Sequence, residues 1–248
     1  MATGWLGAEL VHLVEVDSTN DELWRRARAG ASHGLVVFAD RQADGRGRQG
    51  RIWTGGEGNL LVSWLLRFVS PPDDLPALSI VQGLALARAL DRWVPGRVRL
   101  KWPNDLLLDG RKVGGLLLET KTGNGIEIVN GLGINLARPT RGWGELDGRA
   151  TSLEEATGQR PEARARLAEL LPELEAAVDH FLEEGALAAL QDWSRWSALD
   201  GRTIEWDDGG RIGRGLVLGI AHDGGLRVET HDRTVVLYAG DVHLTEVP

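Results

Sequence analysis

The 248-residue sequence contains no cysteine. Disulfides, thiolate nucleophiles and cysteine zinc sites are therefore excluded. A cytoplasmic home is compatible with that lack. Lysine is nearly as scarce: Lys101, Lys112 and Lys121 stand among 28 basic residues, and the rest are arginine. Arginine is the default cation of this chain, so each lysine draws attention. Positive charge is in deficit overall, with a formal net charge of −8. Broad nucleic-acid surfaces are basic, so no nucleic-acid partner is expected. Any anion site must be a local island of positive charge. No apolar run is long enough for a membrane span. Residues 1–9 lack the basic and apolar segments of a secretory signal. No histidine pair has HxxxH or HExxH spacing, so a metal held by protein ligands is not expected. Neither a Gly-Lys-Ser/Thr phosphate loop nor a Gly-x-Ser-x-Gly nucleophile elbow occurs.

What is present is an ordinary globular mixture, 42% hydrophobic and 26% charged. Its length suits one large domain plus a small one. Strand patterns fall at residues 12–16, 35–39, 59–67, 98–102, 106–108, 113–119 and 126–136. Asp109-Gly110 is a hairpin turn signal, and residues 121–125 read as a connecting loop. Helical patterns cover residues 19–30, 75–93, 161–184 and 186–198, with a kink or break expected at Pro172. Thr19 and Glu22 have capping-box spacing. The alternation predicts an α+β fold with a mixed β-sheet and helices. Past residue 200 the texture changes to short β runs at 203–206, 215–220, 226–230 and 235–238. Asp207-Asp208-Gly209-Gly210 and His222-Asp223-Gly224-Gly225 turns separate them, which predicts a small β-barrel. The expected division is 1–199 and 200–248.

Four segments carry chemistry. In Gly45-Arg46-Gly47-Arg48-Gln49-Gly50-Arg51-Ile52-Trp53, glycines let the backbone approach a ligand. The arginines supply planar, permanent donors for carboxylate or phosphate oxygens. Composition alone also allows a solvated basic loop. Lys101-Trp102-Pro103-Asn104-Asp105 and Arg111-Lys112-Val113-Gly114-Gly115 flank a hairpin from which Lys112 can aim an ammonium into a site. The plainer reading is a structural turn and a solvated lysine. Ser18-Thr19-Asn20 suits helix capping, or a polar cluster at a helix N-terminus that reads a small ligand. Gly131-Leu132-Gly133-Ile134-Asn135 places glycines inside a strand, where another group can come close to the backbone.

Together and in this order, these blocks, with Asp17 before the first and Gln42 before the second, resemble the biotin protein ligases. The resemblance is strong over residues 10–140 and weaker to 200. It implies a catalytic domain similar to class II aminoacyl-tRNA synthetases, followed by an SH3-like barrel. It implies two half-reactions: biotin and ATP give biotinyl-5′-AMP, and a lysine of a biotin carboxyl carrier domain then takes the biotinyl group. By resemblance, Ser18, Thr19, Asn20, Gln42, Arg46, Gly47, Arg48, Lys112, Gly114 and Gly115 bind biotin. Arg48, Arg51, Trp53, Lys101, Asn104 and Asn135 face the nucleotide, and Lys112 with Arg48 is the catalytic choice. Mg2+ accompanies the ATP phosphates. The first block starts at residue 17, so a ligase-only type without a DNA-binding segment is expected, as monomer or homodimer. The rival readings are a lipoate ligase or acyltransferase, and a non-catalytic adenylate-binding regulator.

Overall fold

The computed structural model describes residues 4–53, 58–140, 142–207, 210 and 212–245. Residues 1–3 of the N-terminal stretch and residues 208 and 209 of the Asp-Asp-Gly-Gly turn lie outside them. The first unit is β1 (Leu10–Val16), α1 (Thr19–Arg28) and β2 (Val36–Gln42). A helical crossover lets two strands run parallel, and β1 and β2 do so. There follow β3 (Leu60–Phe68), α2 (Leu78–Asp91), β4 (Val98–Lys101), β5 (Asp105–Leu108), β6 (Arg111–Gly123) and β7 (Gly125–Ile134). These seven strands form one mixed sheet in the order β1-β2-β3-β7-β6-β5-β4. Next come α3 (Leu153–Thr157), α4 (Ala163–Ala189) and α5 (Trp193–Trp196). A second sheet holds β8 (Thr203–Asp207), β9 (Ile212–Ile220), β10 (Leu226–Glu229), β11 (Thr234–Leu237) and β12 (Asp241–Leu244). Its order is β11-β10-β9-β8-β12, with every pairing antiparallel. The α+β expectation holds, and an antiparallel C-terminal sheet is compatible with an SH3-like unit.

The large sheet is covered unequally. Alternate residues of a strand face opposite sides. Leu60, Val62, Trp64 and Leu66 of β3 join Leu78, Val81 and Leu84 of α2 and Leu170, Leu174 and Phe181 of α4 in one large core. That core continues into the second sheet through Trp206, Val217 and Leu226. On the other side, Leu65 and Val129 pack with Leu23, Trp24 and Ala27 of α1 in a much smaller cluster. The part of this second face beyond the start of α1 is left for the site.

Several local expectations change. The kink or break expected at Pro172 does not interrupt α4: the helix continues through it, and the non-helical residue is Gly185, at φ 79° and ψ 172°. Leu170, Leu171 and Leu174 are buried on either side of Pro172, and this packing outweighs the lost backbone bond. Positive φ suits glycine, and Asp74 Oδ2 accepts from the Ala186 amide where the helix resumes. The loop expected at 121–125 is shorter, because Gly123 and Gly125 already pair across the β6–β7 hairpin. β12 was not foreseen at all; four residues after a glycine carry too little pattern. Asp109-Gly110 is the turn expected, with φ of 51° and 76°.

Candidate active site

A cleft of 570 Å³ opens on the thinly covered face, beside the N-terminus of α1. Two glycines of β7 make room there. A Cβ at Gly131 would strike the Asn20 carboxamide, and one at Gly133 would fall inside the Trp53 indole. The groups that come close to this backbone are therefore the protein's own. Trp53 is laid across the glycine floor, and its buried Nε1 has no partner among the described residues. That indole donor is left unsatisfied against the glycine floor.

The start of α1 forms one wall. Ser18 is its N-cap but makes no side-chain cap bond. The capping box expected from Thr19 and Glu22 is absent: Glu22 accepts from Arg25 and Arg26, each at 2.8 Å. Thr19 instead donates to Gln42 Oε1 twice, from its amide at 2.7 Å and its hydroxyl at 2.9 Å. Ser63 Oγ, fully buried on β3, lies 2.7 Å from Thr19 Oγ1 and 2.6 Å from Asn20 Oδ1. Three oxygen–oxygen contacts (Thr19–Gln42, Ser63–Thr19, Ser63–Asn20) share only two hydroxyl protons. The wall is one proton short, so it favours a ligand that brings donors.

The 45–53 loop is a tight hairpin. Gly47 N donates to Arg51 O at 2.7 Å and Trp53 N to Gly45 O at 2.8 Å. Its tip turns through Gln49 and Gly50, at φ 55° and 72°. Its arginines are differently placed. Arg46 pairs with Asp21 at 2.7 Å and with Glu119 at 3.1 Å. Arg51 pairs with Asp241 of the second sheet. Arg48 is partly buried, and that desolvation lowers its pKa against the pull of Asp241 and Asp105. Its Nη1 reaches Asn104 Oδ1 at 3.4 Å.

Lys112 owes its direction to a β-bulge. Leu107 pairs with Lys112 but Leu106 pairs with Gly114, so Val113 is the extra residue. Without it Lys112 and Gly115 would face opposite sides of β6. With it the Lys112 chain lies over Gly115, where a Cβ would come 3.3 Å from its Cε. Lys112 Nζ meets Asp105 Oδ1 at 2.6 Å and stands 5.5 Å from the Trp53 ring centre. Lys101 is close by, its pKa lowered by burial and by the charge of Lys112, with Asp105 and Asp241 opposing. Among the described residues no group of three metal-ligating side chains comes together.

Comparison with known proteins fits this geometry. The biotin/lipoate A/B protein ligase family matches residues 13–135. The Escherichia coli bifunctional ligase/repressor BirA is 34% identical over 233 residues, which is 90% of this chain and 70% of that protein. The chain belongs to this ligase family. A Mycobacterium tuberculosis biotin--[acetyl-CoA-carboxylase] ligase is 32% identical over 97% of this chain and 90% of its own. The solved biotin protein ligase of Aquifex aeolicus, in complex with biotin and ATP, is 28% identical with a TM-score of 0.81. That match covers 97% of this chain and 100% of that one.

The cleft gathers nearly every residue that the family resemblance singled out: Ser18, Thr19, Asn20, Gln42, Arg46, Gly47, Arg48, Arg51, Trp53, Lys101, Asn104, Lys112, Gly115 and Asn135. Gly114 is the exception. The same bulge turns it to the other face, where a Cβ would meet Gly133 O at 2.9 Å and Leu106 at 3.2 Å. Its role is close packing of β6 against its neighbours. The motif reading missed Ser63 and Glu119. Each had a signal: Ser63 is a lone hydroxyl within Leu60–Leu66, and Glu119 ends the apolar run 116–118. It also missed the rim formed by residues 240–244, which come from the other sheet.

Proposed function

We propose that this chain is an ATP-dependent biotin protein ligase. One observation carries the reading: a proton-poor wall of Thr19, Gln42 and Asn20, backed by the buried Ser63, shares a single cleft with Lys112, Arg48 and Lys101. A cyclic urea brings two N–H donors to such a wall. Cations in the same space hold a carboxylate and a triphosphate together against their mutual repulsion. The biotin carboxylate oxygen attacks the α-phosphorus and the bond to pyrophosphate breaks. Charge grows on the α-phosphoryl oxygens, and the Lys112 ammonium and the Arg48 guanidinium are the donors for it. Arg51, Trp53, Lys101, Asn104 and Asn135 form the nucleotide side in this reading. An acceptor lysine amine then attacks the acyl carbon, AMP leaves with the bonding pair, and the amine gives up a proton.

Mg2+ belongs here as part of the nucleotide substrate, held chiefly by phosphate oxygens. The acceptor is a biotin carboxyl carrier domain of a carboxylase, and the working compartment is the cytoplasm. Residues 1–199 form the catalytic part and 200–248 a small barrel that closes the rim. A lipoate ligase is disfavoured because a dithiolane brings no N–H to the wall. Sites built for hydrogen bonds reject ligands that lack them by about 10⁴-fold. Calorimetry with biotin and with lipoate, followed by pyrophosphate release with ATP, tests this. Tight biotin binding with lipoate weaker by about that factor is expected; equal binding of the two overturns the assignment.

A further inference from the structure

One carboxylate beside the cleft has three side-chain partners, each distant in sequence. Glu119 Oε2 accepts from Asn20 Nδ2 at 3.1 Å and from Trp24 Nε1 at 3.1 Å. Arg46 Nη2 reaches Oε2 at 3.2 Å and Oε1 at 3.1 Å. A strand, a helix and the 45–53 loop thus meet on one side chain. We propose that Glu119 is the positioning residue that fixes the orientation of the Asn20 amide and anchors the loop at Arg46.

The amide argument is one of donor and acceptor type. The two groups facing one end of the Asn20 amide are Glu119 and, at 3.4 Å, Leu117 O. Both are acceptors, so that end is the nitrogen. The oxygen is then directed to Ser63 and to the floor at Gly131. An acceptor is therefore held out toward the cleft, which a ligand with N–H groups requires. The same carboxylate, with Asp21 on α1, holds Arg46 between two negative charges. Lys121 Nζ sits 4.0 Å from the Trp24 ring centre and keeps that indole in place. Loop position and amide orientation thus share one charge. The ligand-binding half of this inference rests on the ligase reading; the loop half does not.

Glu119→Gln keeps the shape, removes the charge facing Arg46 and adds a donor that lets Asn20 turn over. In the ligand-free protein, amide exchange over residues 45–53 is expected to speed up by about tenfold. Biotin Kd and KM should rise about tenfold to a hundredfold, as for a lost bond to a charged group. The rate at saturating biotin should change by less than about threefold, since the loss is in binding. Arg46→Gln should loosen the loop similarly, and the double variant should be no worse than the poorer single one. Unchanged loop exchange in Glu119→Gln overturns the proposal, as do additive effects in the double variant. Should Glu119→Gln not fold, Arg46→Gln and Trp24→Phe decide by the same two readouts: unchanged loop exchange and KM in both overturn it. A wild-type protein that bound no biotin would sink the ligase reading, while loop exchange would still decide the role of Glu119.

Discussion

Two helices of this protein begin with a serine followed by acids, and they use them differently. At α3, Ser152 Oγ accepts from the Glu155 amide at 3.2 Å and Glu155 Oε2 accepts from the Ser152 amide at 3.0 Å. That is a complete capping box, to which Trp143 and Arg138 add bonds on the Glu155 carboxylate. At α1, Ser18 makes no side-chain cap, Thr19 turns to Gln42 and Ser63, Asn20 to Glu119, and Asp21 to Arg46. The polar groups of α3 stabilise their own helix. Those of α1 are diverted outward and form a wall of the cleft. A helix start whose side chains leave its own amides uncapped is a binding surface, and the same residue types distinguish the two cases only through their partners.

The contrast can be broken or sharpened by substitution. The largest effect belongs to the charge opposite the α1 wall. Lys112→Ala should lower pyrophosphate release by about 10²–10³-fold, as for loss of a donor acting on the transition state. Thermal unfolding of that variant should be close to wild type, because Lys112 is partly exposed; undiminished pyrophosphate release removes Lys112 from the chemistry. Next come the two helix starts themselves. Thr19→Val should weaken biotin by about tenfold to a hundredfold. Ser152→Ala should instead cost about 1 kcal/mol of stability and leave biotin affinity alone. Equal losses of affinity in both variants would erase the distinction drawn here.

The smallest effect is electrostatic. The Arg25 guanidinium holds the Asp17 carboxyl down from 3.8 to about 2. A depressed carboxylate stabilises the fold above its ordinary value, and that contribution fades as pH falls through 3.8 toward about 2. Asp17→Asn should therefore lower Tm modestly at pH 5 and match wild type near pH 2. Both partners are largely exposed, so solvent screening keeps the effect small. A gap that widened on acidification would reverse the sign.

The strands and helices were legible where apolar residues repeat with a clear period, as in β3 and α2. Pro172 misled because a proline signals local cost and says nothing of the leucines packed around it. The site was legible block by block, since loops rich in glycine and arginine are chemically unusual. Three things were not. The bulge at Val113 is invisible in a run of Arg-Lys-Val-Gly-Gly, yet it separates Gly115 from Gly114. Glu119 is one acid on a strand, and its weight comes from three partners distant in sequence. β12 is four residues long and acquires meaning only from pairing with β8.

The cleft takes residues from position 18 to position 244. Asp241 meets Arg51 at its rim, and Trp102 Nε1 donates to Gly224 O beneath it at 3.0 Å. Order of synthesis then matters. A ribosome makes the α1 wall more than two hundred residues before the β12 rim, so the cleft has its full lining only once residues 240–244 have been made and folded.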